Sequence, residues 1–331
     1  MNKLLYSLKS GKNPKFIYYS VNYLRLILPF KFLYRNRLKS ALGQIDKRND
    51  KEYILNRVNY YNRLTPQHYQ PKWADELTEL GKQKMCKQKV YFFDTFEYTR
   101  WFQQHLKWKL CPGDITYVPE VPSIVKSRPI VEGNENSVVM KLDKIRHFIY
   151  VDDRKRFTDK KDMAIFRGKI GAPDTPGWKE NRYQFLKKYW GHSMCNLGEI
   201  RSKHSNEEWV VEKMTIREHL DYKFIVALEG NDVASNLKWV MSSNSLAIMP
   251  RPTCETWFME ATLIPDFHYV EIKPDFSDLE EKMRYYIEHP YKAQEIIDHA
   301  HEYVNQFKDK KREKLISLLV LKKYFDITNP V

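Results

Sequence analysis

Short apolar runs alternate with amphipathic stretches through the second half of the chain. Apolar runs of four to eight residues between turn residues are typical of buried strands, and apolar positions three and four apart are typical of helices. The pattern predicts strands at 163–170, 193–200, 222–230, 245–250 and 267–272. It predicts helices at 181–190, 233–243, 254–263, 279–287 and 293–304. Such alternation predicts an α/β fold with a parallel sheet covered by helices.

The first half of the chain is less regular. Residues 1–60 are basic and have mostly helical spacing, whereas "KVYFFDTF" at 89–96 is an apolar, aromatic run that predicts a buried strand. A helix is predicted at 99–110, and "HFIYV" at 147–151 is another predicted strand. The charged run 152–162 marks the end of the first domain.

These changes in pattern predict four segments. They are a basic helical segment (1–60), a first domain (61–162), an α/β domain (163–306) and a C-terminal helix (307–331) that packs back on the first domain. A chain of 331 residues is long enough for two domains with separate cores.

The charge balance points to an anionic partner. The chain carries 56 Lys and Arg against 42 Asp and Glu, a formal charge of +14. Such a field attracts nucleic acid, anionic lipid or phosphorylated small molecules, although a lysine-rich soluble protein has the same composition. The four cysteines are widely spaced, without a C-x-x-C pair, which argues against a disulfide framework or a zinc site.

The N-terminal segment has the composition of a surface that meets a membrane interface. Its apolar runs are interrupted by lysines and stopped by Pro29, so neither a signal peptide nor a bilayer span is predicted. Aromatic and aliphatic residues stand among cations, as in interfacial helices. The residues are Phe16, Tyr18, Tyr19, Tyr23, Leu24, Ile27 and Leu28 among Lys15, Arg25, Lys31, Arg35 and Arg37. The alternative is a helical subdomain packed on the main body, and the two can coexist.

A candidate anion site follows the predicted strand at 222–230. This strand ends in the turn Glu229-Gly230-Asn231-Asp232, and the next predicted helix begins near residue 233. Ligands of parallel sheets bind at the carboxyl ends of the strands, where a helix N-terminus offers free N–H groups to a phosphate. The alternative is ordinary capping of the helix by Asp232 or Asn231.

Four segments in this order resemble the glycosyltransferase family 90 proteins. They are Phe166-Arg167-Gly168, "KFIVALEGNDVASNLKWVMSSNSLAIM", "ETWFMEATLIPDFHYVEI" and "DFSDLEE". The family includes bacterial lipopolysaccharide core glycosyltransferases and, more distantly, protein O-glucosyltransferases. The resemblance implies the GT-B architecture, in which two Rossmann-like domains face each other across a cleft. Residues 61–162 would then form the Rossmann-like domain on the acceptor side, and 163–306 the Rossmann-like domain that binds the nucleotide sugar. It also implies an inverting, metal-independent transfer from a UDP-sugar to a sugar hydroxyl, with no cofactor.

The family pattern assigns the donor site to the predicted C-terminal domain. Without a metal, the charge on the leaving diphosphate has to be met by fixed cations and N–H groups. Arg167 and Gly168 are the first candidates, with Lys169 as a secondary cation; the alternative is a surface arginine at a strand end. The remaining donor candidates are Gly230, the backbone of Val233 and Ala234, the polar pair Ser235 and Asn236, and Lys238.

The resemblance also implies carboxylates for the ribose and for the base. Glu255 is the first candidate for the ribose hydroxyls and Glu260 the second, because family members carry a glutamate in this region. The proline-rich loop "TYVPEVPSIVKSRP" places Glu120 as the general base, with Asp114 and Asp94 as alternatives. Lys126 and Arg128 follow on the same loop as candidate phosphate contacts or exposed cations.

The predicted function is therefore transfer of a hexose or pentose from a UDP-sugar to a lipopolysaccharide or lipooligosaccharide core saccharide. The acceptor is expected to be lipid-linked, and the enzyme is expected in the cytoplasm on the inner face of the cytoplasmic membrane, bound through its N-terminal segment. Nucleic acid is not an expected partner, because no nucleic-acid-binding motif is present. The alternative is a basic membrane- or nucleic-acid-binding protein without transferase activity.

Overall fold

The computed structural model describes residues 11–28 and 31–330, which form two compact units. The sheet unit comprises 146–253 and 261–306 together with the described residues 11–13. The helical unit comprises Pro14–Ile145, Cys254–Glu260 and Phe307–Val331. The units differ from the predicted segments in two places. Residues 146–162, which include the charged run predicted to end the first domain, belong to the sheet unit, and 254–260 belong to the helical unit, as does the C-terminal helix.

Strands and helices are numbered in chain order. The strands are β1 (Thr78–Glu79), β2 (Lys107–Trp108), β3 (Ser123–Val125), β4 (Ser127–Pro129), β5 (Ser137–Val139), β6 (Lys161–Ile165), β7 (Cys195–Asn196), β8 (Glu199–Ile200), β9 (Val210–Val211), β10 (Tyr222–Val226), β11 (Leu246–Met249), β12 (Cys254–Thr256) and β13 (Val270–Glu271). The helices are α1 (Lys15–Ile27), α2 (Lys31–Leu42), α3 (Lys51–Tyr61), α4 (Trp73–Glu76), α5 (Lys89–Thr99), α6 (Lys144–His147), α7 (Glu180–Tyr189), α8 (Ile216–His219), α9 (Leu237–Val240), α10 (Leu279–Glu288), α11 (Pro290–Asn305) and α12 (Lys310–Thr328).

The sheet unit is built on a five-stranded parallel sheet in the order β13-β11-β10-β6-β7. Every residue of β10 and β11 is buried, which is why these strands appear as continuous apolar runs rather than alternating ones. Phe224 and Ile248 are fully buried, and burial of such a side chain stabilises a fold by about 1.5–3 kcal/mol. The predicted α/β class with a parallel sheet is confirmed.

Of two helices predicted in the second half of the chain, one is much shorter than predicted and the other is absent. The helix predicted at 233–243 is a single turn, α9, because residues 230–233 form a bend. The helix predicted at 254–263 is instead strand β12 followed by a short 3-10 turn, Glu260–Thr262. β12 pairs antiparallel with β4, and Met259 has a left-handed φ of 55°, which a continuous helix does not allow.

The helical unit is organised around long buried helices. The predicted strand at 89–96 is wrong, because this run lies in α5, whose residues from Tyr91 to Phe96 are all buried. A helix buried on all sides gives the same apolar run as a buried strand. The helix predicted at 99–110 is also wrong: α5 ends at Thr99, and a turn leads into β2. The predicted strand at 147–151 is wrong as well, since no strand forms there.

The strands of the helical unit pair only two at a time among its described residues, as β1-β2, β12-β4 and β3-β5. This differs from the sheet expected of a Rossmann-like domain at 61–162. The GT-B architecture as a whole stays a prediction. α12 supplies much of the core of this unit, with Ile316, Val320 and Tyr324 fully buried.

Candidate active site at the carboxyl edge of the parallel sheet

Arg182 ties together two loops that leave the carboxyl edge of the sheet. It lies in the first turn of α7 and donates to the carbonyl oxygens of Lys169 (3.1 Å), Leu228 (2.8 Å) and Glu229 (3.0 Å). Lys169 follows β6, and the other two residues follow β10. Burial lowers the pKa of Arg182 to about 10, partly offset by the nearby Asp232 and Glu229 carboxylates. Arg182 is not among the site residues predicted from the sequence.

Gly168 and Gly230 lie against this arginine. A Cβ atom at Gly168 would be 2.7 Å from the Phe166 ring and 3.3 Å from Arg182 Nη1. A Cβ atom at Gly230 would be 3.0 Å from Arg182 Nη2. Both glycines, which are donor-site candidates from the sequence, therefore permit close packing of the loops on Arg182.

Arg167 points back along the edge of the sheet. Its guanidinium donates to the carbonyl oxygens of Phe166 and Asn196 at 2.9 Å each, and to Asn196 Oδ1 at 2.7 Å. Within the part of the chain that the structure describes, no group accepts a hydrogen bond from its buried Nε. Burial lowers the pKa of Arg167 from its ordinary value. A half-buried, oriented guanidinium binds phosphate strongly, because it forms charge-assisted hydrogen bonds with the phosphate oxygens.

Glu199 fixes the loop after Arg167. Its fully buried carboxylate accepts hydrogen bonds from the backbone N–H groups of Ile170 (3.2 Å), Gly171 (2.9 Å) and Asn206 (3.0 Å), and from Ser205 Oγ (3.0 Å). A carboxylate with four donors is well satisfied despite its burial. Glu199 is therefore a second site residue, after Arg182, that was not predicted from the sequence. It holds the loop that carries Gly168 and Lys169.

The segment after β10 does not form the expected helix N-terminus. Val233 and Ala234 are buried and Ser235 is exposed, and all three precede α9 rather than belong to it. Asn236 donates its amide to the Val226 carbonyl at 3.1 Å, and Lys238 is fully buried rather than exposed to solvent. The predicted row of helical N–H donors at 233–236 is therefore wrong, because a four-residue helix begins only at Leu237.

Glu255 and Glu260, the two ribose candidates, lie in the helical unit. Glu255 is 1% exposed and accepts from Arg128 Nε at 2.8 Å and from the Tyr60 hydroxyl. Arg128 is also fully buried, so it is neither an exposed cation nor a surface phosphate contact. Glu260 accepts from the backbone N–H of Thr256 at 2.6 Å and from its hydroxyl. Both carboxylates therefore stabilise the local fold, and their ribose role stays a prediction.

The three carboxylates considered as the base have different environments. Glu120 is exposed in its loop, and its carbonyl oxygen accepts from Asn136 Nδ2 at 2.9 Å. Asp114 is half-buried and paired with the buried Lys126. Asp94 is buried, and burial raises its pKa to about 6 although Lys144 and the Tyr18 hydroxyl partly offset this. Glu120 is thus the most accessible of the three.

Two histidines and two aromatic residues, none of them a candidate above, have structural settings. His147 is buried, and His268 Nδ1 accepts from the Ile264 backbone N–H at 2.9 Å. Trp257 and Phe258 are fully buried, Trp257 stacking on Tyr61, so both belong to the core. Among residues 11–28 and 31–330, no group of three His, Cys, Asp or Glu side chains is arranged to hold a metal ion.

The structure thus places Arg167, Gly168, Gly230 and Asn236 together at one edge of the parallel sheet. Comparison with known proteins agrees with the resemblance seen in the sequence. The family model described as "Glycosyl transferase family 90" matches residues 135–325. The chain is also similar to an O-glucosyltransferase LpsA of Dichelobacter nodosus, with 39% identity over 277 residues, 84% of each chain. On both grounds, the chain belongs to glycosyl transferase family 90.

Proposed function

We propose that the protein transfers a hexose or pentose from a UDP-sugar to a hydroxyl of a lipopolysaccharide or lipooligosaccharide core saccharide. Membership of the family supports glycosyl transfer. Glucose is the first sugar to test, because a relative is named an O-glucosyltransferase. Inversion, independence from metal ions and the GT-B architecture are further parts of the proposal that come from the family resemblance.

The observation that carries the proposal is the arrangement of cations at the carboxyl edge of the sheet. Arg167 and the exposed Lys169 stand on the loop after β6, which Glu199 and Arg182 hold in place. Parallel α/β sheets bind ligands at this edge. Fixed cations there would stabilise the negative charge that grows on the diphosphate as it leaves.

Glu120 is proposed as the general base. Its carboxylate is exposed to solvent on the proline-rich loop between Pro119 and Pro122. A base has to reach the acceptor hydroxyl and take its proton as the glycosidic bond forms. Exposure on a loop stiffened by prolines meets both needs, whereas Asp94 is buried and Asp114 is held by Lys126.

A panel of nucleotide sugars tests the proposal. The protein is incubated with UDP-glucose, UDP-galactose, UDP-xylose and GDP-mannose, with and without a core oligosaccharide, and release of the nucleotide is measured with and without a chelator. We expect UDP release that needs the acceptor and persists in the chelator. A protein that releases no nucleotide from any donor would instead support the alternative of a binding protein without transferase activity.

Replacement of Arg167 tests the diphosphate site. Loss of charge-assisted hydrogen bonds worth about 1.5–3 kcal/mol is expected to weaken UDP binding by roughly 10- to 150-fold in Arg167→Ala. Arg167→Lys keeps the charge and should lose less. Arg156→Ala is the matched control, since Arg156 pairs with Asp159 in an exposed position before β6. Calorimetric titration with UDP measures the difference; equal affinity in Arg167→Ala and Arg156→Ala would remove Arg167 from the site.

A further inference from the structure

Helix α1 presents an apolar face to solvent. Phe16 is 83% exposed, Ile27 73% and Leu24 59%, values that are high for large apolar side chains. The exposed residues recur at helical spacing, so they share one side of α1. They are Phe16, Ile17, Val21, Leu24, Ile27 and Leu28. An exposed apolar face of this extent marks a surface that meets a partner or a membrane.

The opposite face of α1 is fixed to α5 within the helical unit. The Tyr18 hydroxyl donates to Asp94 Oδ1 at 2.7 Å, and Arg25 pairs with Glu97 at 3.1 Å. The Tyr23 ring meets the Phe93 ring edge-on, with the ring centroids 5.0 Å apart. These contacts set the rotation of the helix about its axis. The apolar face therefore cannot turn inward without breaking them.

The positive charge of the N-terminal segment indicates which kind of partner the apolar face of α1 binds. Residues 1–45 contain nine Lys and Arg and no Asp or Glu; the first acidic residue is Asp46. Two copies that met through this face would bring two such segments together, and like charges oppose that contact. A surface of anionic lipid offers both the negative charge and an apolar layer beneath it.

We propose that α1 docks the protein on an anionic bilayer, lying flat with Phe16, Leu24 and Ile27 inserted among the acyl chains. The helix has 13 residues and is therefore about 20 Å long, shorter than the hydrocarbon core of a bilayer. None of the helices in the described ranges is long and apolar enough to cross a membrane. The aromatic and polar side of α1, which includes Arg25, stays on α5, and the exposed Lys15 at the start of the helix meets the lipid phosphates.

Docking through α1 does not depend on which sugar is transferred. Docking would bring the active site to acceptors that are anchored in the same lipid surface, as expected for an enzyme whose acceptor is a lipid-linked saccharide. A water-soluble acceptor should be used equally well by protein that cannot dock. Docking and glycosyl transfer can therefore fail separately.

Vesicle binding of the full chain tests the proposal. Sedimentation is measured with vesicles of phosphatidylcholine alone and with roughly 30% phosphatidylglycerol, at low and high salt. Leu24→Gln/Ile27→Gln removes apolar insertion without adding charge. Val131→Gln/Ile264→Gln is the matched control, because both residues are exposed elsewhere on the surface. Thermal unfolding of both variants should match the wild type, since the replaced side chains are exposed.

We expect binding to anionic vesicles that is at least about tenfold weaker without phosphatidylglycerol and weakens with salt. Leu24→Gln/Ile27→Gln should bind at least about tenfold more weakly than the wild type, and the control should not change. Release of UDP with a water-soluble acceptor should be equal in all three proteins. Equal vesicle binding by the wild type and Leu24→Gln/Ile27→Gln would overturn the proposal. So would light scattering that shows a wild-type dimer and a monomeric variant, because the face would then belong to a second copy.

Discussion

Glu120→Gln is expected to lower kcat by about 10²- to 10⁴-fold, the usual contribution of a general base, while UDP binds with unchanged affinity. Glutamine keeps the size and the hydrogen-bonding capacity of the side chain but cannot take a proton from the acceptor hydroxyl. Stability should not change, because Glu120 is exposed. Turnover is measured as UDP release with the acceptor present, and UDP affinity by calorimetric titration.

Glu132→Gln is the control for this experiment, since Glu132 is an exposed carboxylate of the same unit. Near-normal turnover in Glu120→Gln would remove Glu120 from the role. Asp114→Asn would then be the next variant, because Asp114 keeps partial exposure although it pairs with Lys126. Asp94 is a weaker alternative, since its carboxylate is buried between Tyr18 and Lys144.

Glu255→Ala is expected to lower the free energy of unfolding by about 3–5 kcal/mol, because it leaves the buried Arg128 guanidinium without its carboxylate. The two side chains are among the least exposed in the helical unit, and Glu255 also accepts from Tyr60. Urea unfolding measures the change. The double variant Arg128→Met/Glu255→Met should lose less free energy of unfolding than the sum of the losses in Arg128→Met and Glu255→Met. The reason is that the double variant leaves no unpaired charge in the core.

A role for Glu255 at the ribose has a separate signature. If its carboxylate holds the vicinal hydroxyls, the wild type should bind UDP more tightly than 2′-deoxy-UDP, and Glu255→Gln should lose that preference. The corresponding measurement on Glu260→Gln covers the second candidate. An unchanged preference in Glu255→Gln would show that the ion pair with Arg128 is the whole of its role.

The sheet could be predicted from sequence because its strands are local features. β10 and β11 are short apolar runs between turn residues, and burial of every residue makes each run continuous. β6 and β13 belong to shorter apolar runs, since only part of each strand is buried. The run in α5 has the same composition, so sequence pattern alone could not distinguish a helix buried on all sides from a strand. β12 escaped prediction for another reason: it depends on pairing with β4, which lies more than a hundred residues away.

The site was predicted in part for similar reasons. Arg167 and Gly168 were identified because they directly follow a strand and match a family motif. Arg182 and Glu199 were missed, because an arginine in a helix and a glutamate near the end of a predicted strand have the pattern of solvent-facing residues. Their roles come from backbone groups elsewhere in the chain: Arg182 reaches a carbonyl 46 residues away and Glu199 an N–H group 28 residues away.

We propose that the carboxyl edge of the parallel sheet binds the diphosphate of the donor through the loop that carries Arg167. A crystal structure of the protein with UDP tests it most directly. We predict diphosphate oxygens within hydrogen-bonding distance of the Arg167 guanidinium or the Lys169 ammonium, next to Gly168. A diphosphate bound away from this loop, or held to the protein only through a metal ion, would contradict the account.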